Sequence, residues 1–219
     1  GVIIERLAYK PLRQASSLAV LITAIGVSYF LQNLALLIWG SAAKIFPTIL
    51  DYGSINLFND QLKLSYQMLI TITVCIVIMI LLNLFIKKTK IGKAMRACSE
   101  DKEAAALMGI NVDNIISLTF AIGSGLAAIA ALLLCAAYPT VTPTLGSMPG
   151  IKAFTAAVIG GIGSIPGALL GGLLLGVIEI IVKAYGLSEL TDAIAFGVLI
   201  LVLLFKPTGL LGKKVKEKV

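Results

Sequence analysis

The sequence predicts an all-α, polytopic membrane protein with about six membrane segments. Three observations lead there. Hydrophobic residues make up 58% of the 219 positions, and only 13% are charged. A soluble domain carries about twice that charge. Apolar runs near the length of a bilayer-crossing helix recur along the chain, and the Lys and Arg residues gather in short clusters beside them. One hydrophilic segment, 87–114, interrupts the pattern.

The expected spans follow from the need for about 20 apolar residues per crossing. They are Leu18 to Trp39, Tyr66 to Ile86, Ile115 to Ala137, Ala168 to Tyr185 and Leu190 to Phe205. Gly150 to Ile162 is apolar but short, and a breaker run, GGIGSIPG, covers Gly160 to Gly167. The positive-inside rule orients the set. Arg6, Lys10 and Arg13 precede the first span. Lys87, Lys88, Lys90, Lys93 and Arg96 follow the second, and Lys206, Lys213, Lys214, Lys216 and Lys218 follow the last. All three clusters are expected in the cytoplasm. Gly40 to Ser65 has no basic bias and is expected outside. Parity then asks Gly150–Ile162 to cross or nearly cross; a re-entrant segment would put the tail outside. The expected organisation is one transmembrane domain over 1–212, with a cytoplasmic segment at 87–114 and a basic tail at 213–219. The first residues, GVIIERLAYKPL, read as the last turn of a span followed by a basic exit, as if further helices preceded them.

Composition also narrows the chemistry. The net charge of +7 sits beside apolar runs, with no soluble scaffold to present it to nucleic acid. There is no histidine, and Cys75, Cys98 and Cys135 show no paired spacing. No phosphate-binding loop and no nucleophile–base pair is found. The chain is therefore expected to bind no cofactor and to catalyse no reaction. Any energy source must lie on another chain.

Three features are candidates for function. In the basic segment, Ser99 is placed to N-cap a helix starting at Glu100, with Glu100, Asp101 and Glu103 in the first turn, where the helix dipole favours acids. Ala104, Leu107 and Met108 share a face, and Gly109 suits the residue just past the helix end. Asn111 or Asp113 is placed to cap the next membrane helix. With Arg96, this segment reads either as a helix that docks into a cytoplasmic motor subunit or as a surface helix on anionic headgroups. The second feature is glycine. Gly163, Gly167 and Gly171 repeat every four residues, as do Gly172 and Gly176, and Gly123, Ala127 and Ala131 do the same in the third span. Such stripes read as close helix packing. Gly160, Gly161, Gly163, Pro166 and Gly167 also suit unwound backbone beside a substrate path. The third feature is the intramembrane polar residues. Gln32 and Asn33 read as path-lining or interhelical groups, and Glu179 with Lys183 as a structural i,i+4 pair.

These residues carry a family likeness. ERLAYKPLR with LITAIGVSYFLQN (Glu5–Asn33), GKAMRACSEDKEAAALMGINVDNIISLTFAIGSGLAA (Gly92–Ala128), GIKAFTAAVIGGIGSIPGALLGGLLLG (Gly150–Gly176) and LFKPTGLLG (Leu204–Gly212) resemble the permeases of bacterial branched-chain amino acid ABC importers, of the H type in the Liv system. Glu103-Ala104-Ala105 followed by Gly109 resembles the EAA-type motif of ABC importers. The resemblance implies an inner-membrane permease with a cytoplasmic C-terminus, for leucine, isoleucine or valine. It implies a second permease subunit of a different kind, two ABC ATPase subunits that bind ATP, and an external substrate-binding protein. Related importers of urea, amides or sugars share the same segments. A self-contained channel or secondary transporter would show an internal repeat and a midplane charge relay, and the sequence has neither. A membrane-anchored scaffold is a further alternative.

Overall fold

The computed structural model describes residues 1–13, 15–47, 54–57 and 62–212. The basic tail, 213–219, lies outside the described residues. Five helical stretches among them are long and apolar enough to cross a membrane. They are α2 (Ser17–Trp39), α3 (Tyr66–Lys88), α6 (Val112–Ala137), α8 (Ile165–Ala184) and α9 (Thr191–Phe205), the last extended by a 3-10 turn from Ser188. The first three begin or end within three residues of the expected spans, and the chain is all-α and polytopic as its composition predicts. The remaining helices are α1 (Val2–Ile4), α4 (Lys90–Glu100), α5 (Lys102–Leu107) and α7 (Ser147–Gly160). At 14 residues, α7 is a rod of about 21 Å against a hydrocarbon core of about 30 Å. Its length is about 9 Å short of that thickness.

Four short strands are an addition. β1 (Lys44–Ile45) pairs antiparallel with β4 (Thr140–Val141), and β2 (Ser54–Leu57) pairs with β3 (Leu62–Ser65). β2 (SINL) and β3 (LKLS) each alternate polar and apolar residues, a signal that the reading of 40–65 as an external stretch left unused; β1 and β4, of two residues each, are too short to show one.

The chain divides into two compact units. The first holds Gly1–Ile78 and Leu84–Leu145. Its leading segment runs through α1, a π-helix (Glu5–Tyr9) and a 3-10 turn (Lys10–Leu12). Ser16 then caps α2, its Oγ accepting from the Ala19 amide at 3.4 Å. Glu5 is completely buried. Its carboxylate accepts from Ser117 Oγ of α6 at 2.7 Å and from the Arg13 guanidinium. Arg13 also pairs with Asp113, in the first turn of α6, and Lys10 Nζ lies 3.7 Å from the same carboxylate. The Tyr9 and Phe120 rings pack at 5.1 Å beside them. Arg13 and Lys10 thus tie the leading segment to α6. The hydrogen bond from Ser117 lowers the Glu5 pKa from its ordinary 4.5, burial opposes this, and Arg13 and Lys10 lower it further. A carboxyl lowered on folding stabilises the protein above its ordinary pKa, and that contribution is lost as pH falls through the lowered value.

The second unit holds Met79–Asn83 and Gly146–Val219. Its frame is a helical hairpin, α7–α8, with α9 against it. Ala156, Ile159, Leu175 and Ala195 form the core. Glycine makes the hairpin possible. A Cβ on Gly160 would overlap the Gly167 carbonyl, and one on Gly171 would overlap the Ala156 carbonyl. GGIGSIPG is therefore a turn between helices. Gly161 and Gly163 adopt φ of +105° and +89°, and Ser164 caps α8 through the Gly167 amide at 3.2 Å. Gly163 belongs to this turn, so the four-residue glycine stripe is real only for Gly167 and Gly171. A Cβ on Gly123 or Gly176 would meet nothing within 4 Å.

The segment after α9 folds back onto α7. Leu210 N–H donates to Ile159 O at 2.8 Å, and Leu211 N–H to Gly160 O at 2.9 Å. Backbone lies so close here that side chains on Gly161, Gly209 or Gly212 would collide with it. Toward the other end of the hairpin, Lys152 Nζ of α7 lies 2.9 Å from Glu179 of α8 and 2.8 Å from Asp192 of α9. The expected Glu179–Lys183 pair is therefore corrected. Lys152 takes Glu179 because it faces two carboxylates from neighbouring helices, whereas Lys183 is exposed.

Two predictions follow from this packing, both readable from thermal unfolding of the purified protein in detergent. Gly160→Val should cost about 3 kcal/mol by overpacking, while Gly176→Ala should be neutral within about 0.5 kcal/mol. Lys152→Met should lower the midpoint by about 4 °C or more by leaving two carboxylates facing each other, while Lys183→Met should leave it unchanged.

Candidate functional site

The basic segment between α3 and α6 folds as two helices joined by a single residue. Thr89 makes the first corner. Its hydroxyl donates to Phe85 O at 2.7 Å and accepts from Gly92 N–H at 2.9 Å. Gly92 is required there, because a Cβ would overlap the backbone of Phe85 and Ile86. α4 then buries Gly92 and Cys98 and exposes Lys93 and Arg96.

Asp101 makes the second corner. Its backbone is extended (φ −157°, ψ 114°), and Oδ1 accepts from the amides of Glu103 at 2.9 Å and Ala104 at 3.0 Å. It is the N-cap of α5, and Ser99 is not. Ser99 lies inside α4 and donates to Arg96 O at 2.8 Å. Glu100 closes α4, so only Glu103 is acidic in the first turn of α5. The physical reason is that a carboxylate takes two orphan amides at once, and α4 extends two residues further than a Ser99 cap would allow.

The end of α5 matches expectation. Gly109 has φ +82°, its N–H donates to Ala106 O at 3.0 Å, and Ile110 N–H donates to Ala105 O at 3.1 Å. This paired closure past a left-handed glycine is a Schellman motif. Asn111 then caps α6, accepting from the Asn114 amide at 3.1 Å. α5 is thus held at both ends. Its Ala105 is buried, while Ala104 is exposed and Leu107 and Met108 are 90% and 82% exposed. Two large apolar side chains stand free on a short helix in the most polar part of the chain.

The other candidates divide between the units. Gln32 and Asn33 lie on α2 in the first unit, Gln32 half-buried and Asn33 exposed. Gln32 Nε2 donates to Ser28 Oγ at 3.0 Å and Asn33 Nδ2 to Tyr29 O at 2.8 Å, so their hydrogen bonds stay within the helix. In the second unit, Gly160 closes α7, Gly161 and Gly163 lie in the turn after it, and Pro166 and Gly167 lie in the first turn of α8; Gly160, Gly161 and Gly167 are buried by backbone. An open cleft of about 260 Å³ lies between the end of α2, at Ala35 and Trp39, and Val141 to Pro143. Among the described residues, no group of three or more His, Cys, Asp or Glu could hold a metal. Sequence reading missed Lys152, Asp192, Glu5 and Ser117, and it offered Asp113 only as a cap, whereas the carboxylate pairs with Arg13 and Lys10. The available signal for the first two was a single charge in each of two otherwise apolar runs.

Comparison with known proteins accounts for this arrangement. The family model described as the branched-chain amino acid transport system / permease component matches residues 1–203. The chain is 49% identical to the high-affinity branched-chain amino acid transport system permease protein BraD of Pseudomonas aeruginosa, covering all of this chain (100%) and 72% of the relative. It is 46% identical to the permease LivH of Salmonella typhimurium over 99% of this chain and 71% of that one. A fructose import permease, FrcC of Rhizobium meliloti, is 31% identical over 60% of this chain and 38% of its own length. No solved structure matches. With the family model spanning nearly the whole chain, and five membrane-length helices around one ordered basic segment, this multi-pass membrane protein belongs to the branched-chain amino acid transport permease family.

Proposed function

We propose that the chain is a permease subunit of an ATP-driven importer of leucine, isoleucine and valine, and that α5 is the helix through which an ATPase subunit drives it. One observation carries the coupling role. Leu107 and Met108 stand exposed on a helix fixed at one end by Asp101 and at the other by Gly109. Exposed apolar side chains on a rigid, polar-flanked element suit a protein groove better than water. Arg96 and Glu103, exposed on the same segment, supply the polar rim.

The remaining parts follow from the family. ATP binds and is hydrolysed on two separate ATPase subunits, and an external binding protein delivers the cargo. A second permease subunit, of a different kind, completes the pathway in the inner membrane. Residues 1–212 act as one permease domain, with 87–114 and the lysine-rich tail on the cytoplasmic side. Gln32 and Asn33, amides on an apolar helix, face the path of an aliphatic zwitterion. The aliphatic cargo is favoured over sugar because the fructose permease matches only 60% of the chain, at lower identity.

Two experiments test the reading. Pulling on this subunit from membranes that express the whole system should bring down an ATPase. Leu107→Asp with Met108→Asp should reduce the recovered ATPase at least about tenfold, as expected when a hot spot worth about 1.4 kcal/mol or more is lost. Equal recovery would show that α5 does not dock. In vesicles holding the assembled system, labelled leucine should be imported on ATP addition and labelled fructose should not. The reverse result would move the chain to the sugar branch.

A further inference from the structure

The coupling reading leaves one charged cluster unused, and that cluster joins the end of the basic segment to the start of α2. Asp113 lies four residues after Gly109, in the first turn of α6. Arg13 lies three residues before Ser16, the cap of α2. One guanidinium pairs with Asp113 on one side and with Glu5 on the other. Its side chain is only 18% exposed, and Glu5 has no exposure at all. Ser117 Oγ, one helical turn beyond Asp113, donates to the second Glu5 oxygen at 2.7 Å. Arg13 Nε is buried with no hydrogen-bond partner among the described residues.

These features do not suit an orientation charge, which needs only to stay in water. They suit a joint. Arginine alone among the cations can grip two carboxylates through a planar fork while remaining charged in a buried place. A buried carboxylate that loses its cation is costly, so Glu5 and Arg13 must move together, and Asp113 ties that pair to the first turn of α6.

We propose that Arg13 is a positioning residue that carries displacement of α5, through the first turn of α6, into α2. The proposal rests on α5 being the docking helix. When an ATPase pulls on α5, the Schellman turn and the Asn111 cap pass the movement to α6. Arg13 then passes it sideways to the segment that leads into α2. Without the grip of Asp113, α5 and α6 still move, but α2 is left behind. ATP is then hydrolysed without cargo crossing.

The test is the amount of leucine imported per ATP hydrolysed, in proteoliposomes holding the complete importer and its binding protein. Asp113→Asn is the primary variant, because that side chain is 56% exposed and its loss leaves Glu5 paired. Asp113→Asn should keep subunit assembly and ATP hydrolysis within about twofold of wild type and lower the transport ratio at least about fivefold. Asp113→Glu should restore the ratio. Ser117→Ala, which leaves both ion pairs in place, should change it less than Asp113→Asn. An unchanged ratio in Asp113→Asn, or uptake and hydrolysis falling in proportion, would overturn the proposal and leave Arg13 a structural brace. A wild type that shows no ATP-dependent uptake would instead overturn the docking reading, and this proposal with it. If Asp113→Asn fails to assemble, Arg13→Lys decides. It keeps the charge and loses the fork, so it should also lower the ratio, and a wild-type ratio there overturns the proposal.

Discussion

Hydrocarbon offers no hydrogen bonds, so every helix in this chain must satisfy its own backbone or end where something else can. The long helices meet this by length. α7 does not, because it falls about 9 Å short of the core thickness. Its last carbonyls, on Ile159 and Gly160, are met instead by the amides of Leu210 and Leu211 from the segment after α9. That requirement explains the glycines at 161, 209 and 212, because two stretches of backbone can approach this closely only without side chains. It also explains Gly160, Gly167 and Gly171, which let α8 lie close enough to support the short helix along its length.

The same constraint governs the basic segment. Its four helix ends are closed by Thr89, Asp101, the Gly109 turn and Asn111, each through hydrogen bonds to backbone amides or carbonyls. A helix of six residues has no stability of its own. α5 exists because its ends are closed and Ala105 is buried. Rigidity of this kind is what a force-bearing contact needs, and it leaves Leu107 and Met108 free to meet a partner.

Charge is handled by pairing across helices. Lys152 joins α7 to α8 and α9 in the second unit, and Arg13 joins the leading segment to α6 in the first. Neither pairing was legible in the sequence. The i,i+4 rule offered Lys183 for Glu179, because it sees only neighbours on one helix. Glu5 and Asp113 are about 110 residues apart, and nothing local links them. By contrast, the spans, a cap at Asn111 or Asp113 and the glycine stop at 109 were legible, since each depends on composition or on three or four consecutive residues. Ser99 and Asp101 show the limit between these cases. Both are good caps two residues apart, and only the length of α4 decides between them. The β1–β4 pair lies beyond that limit, because its partners are about 95 residues apart and too short to show a pattern.

The central claim is that α5 is pressed against an ATPase in the working assembly. The most direct measurement places a photo-crosslinking amino acid at position 108, in place of Met108, in membranes that express the complete system. The account predicts a single cross-linked product of permease and ATPase, absent when the same probe replaces Met148 at the start of α7. Cross-linking of position 108 to lipid alone, with the ATPase present and the system active, would contradict it.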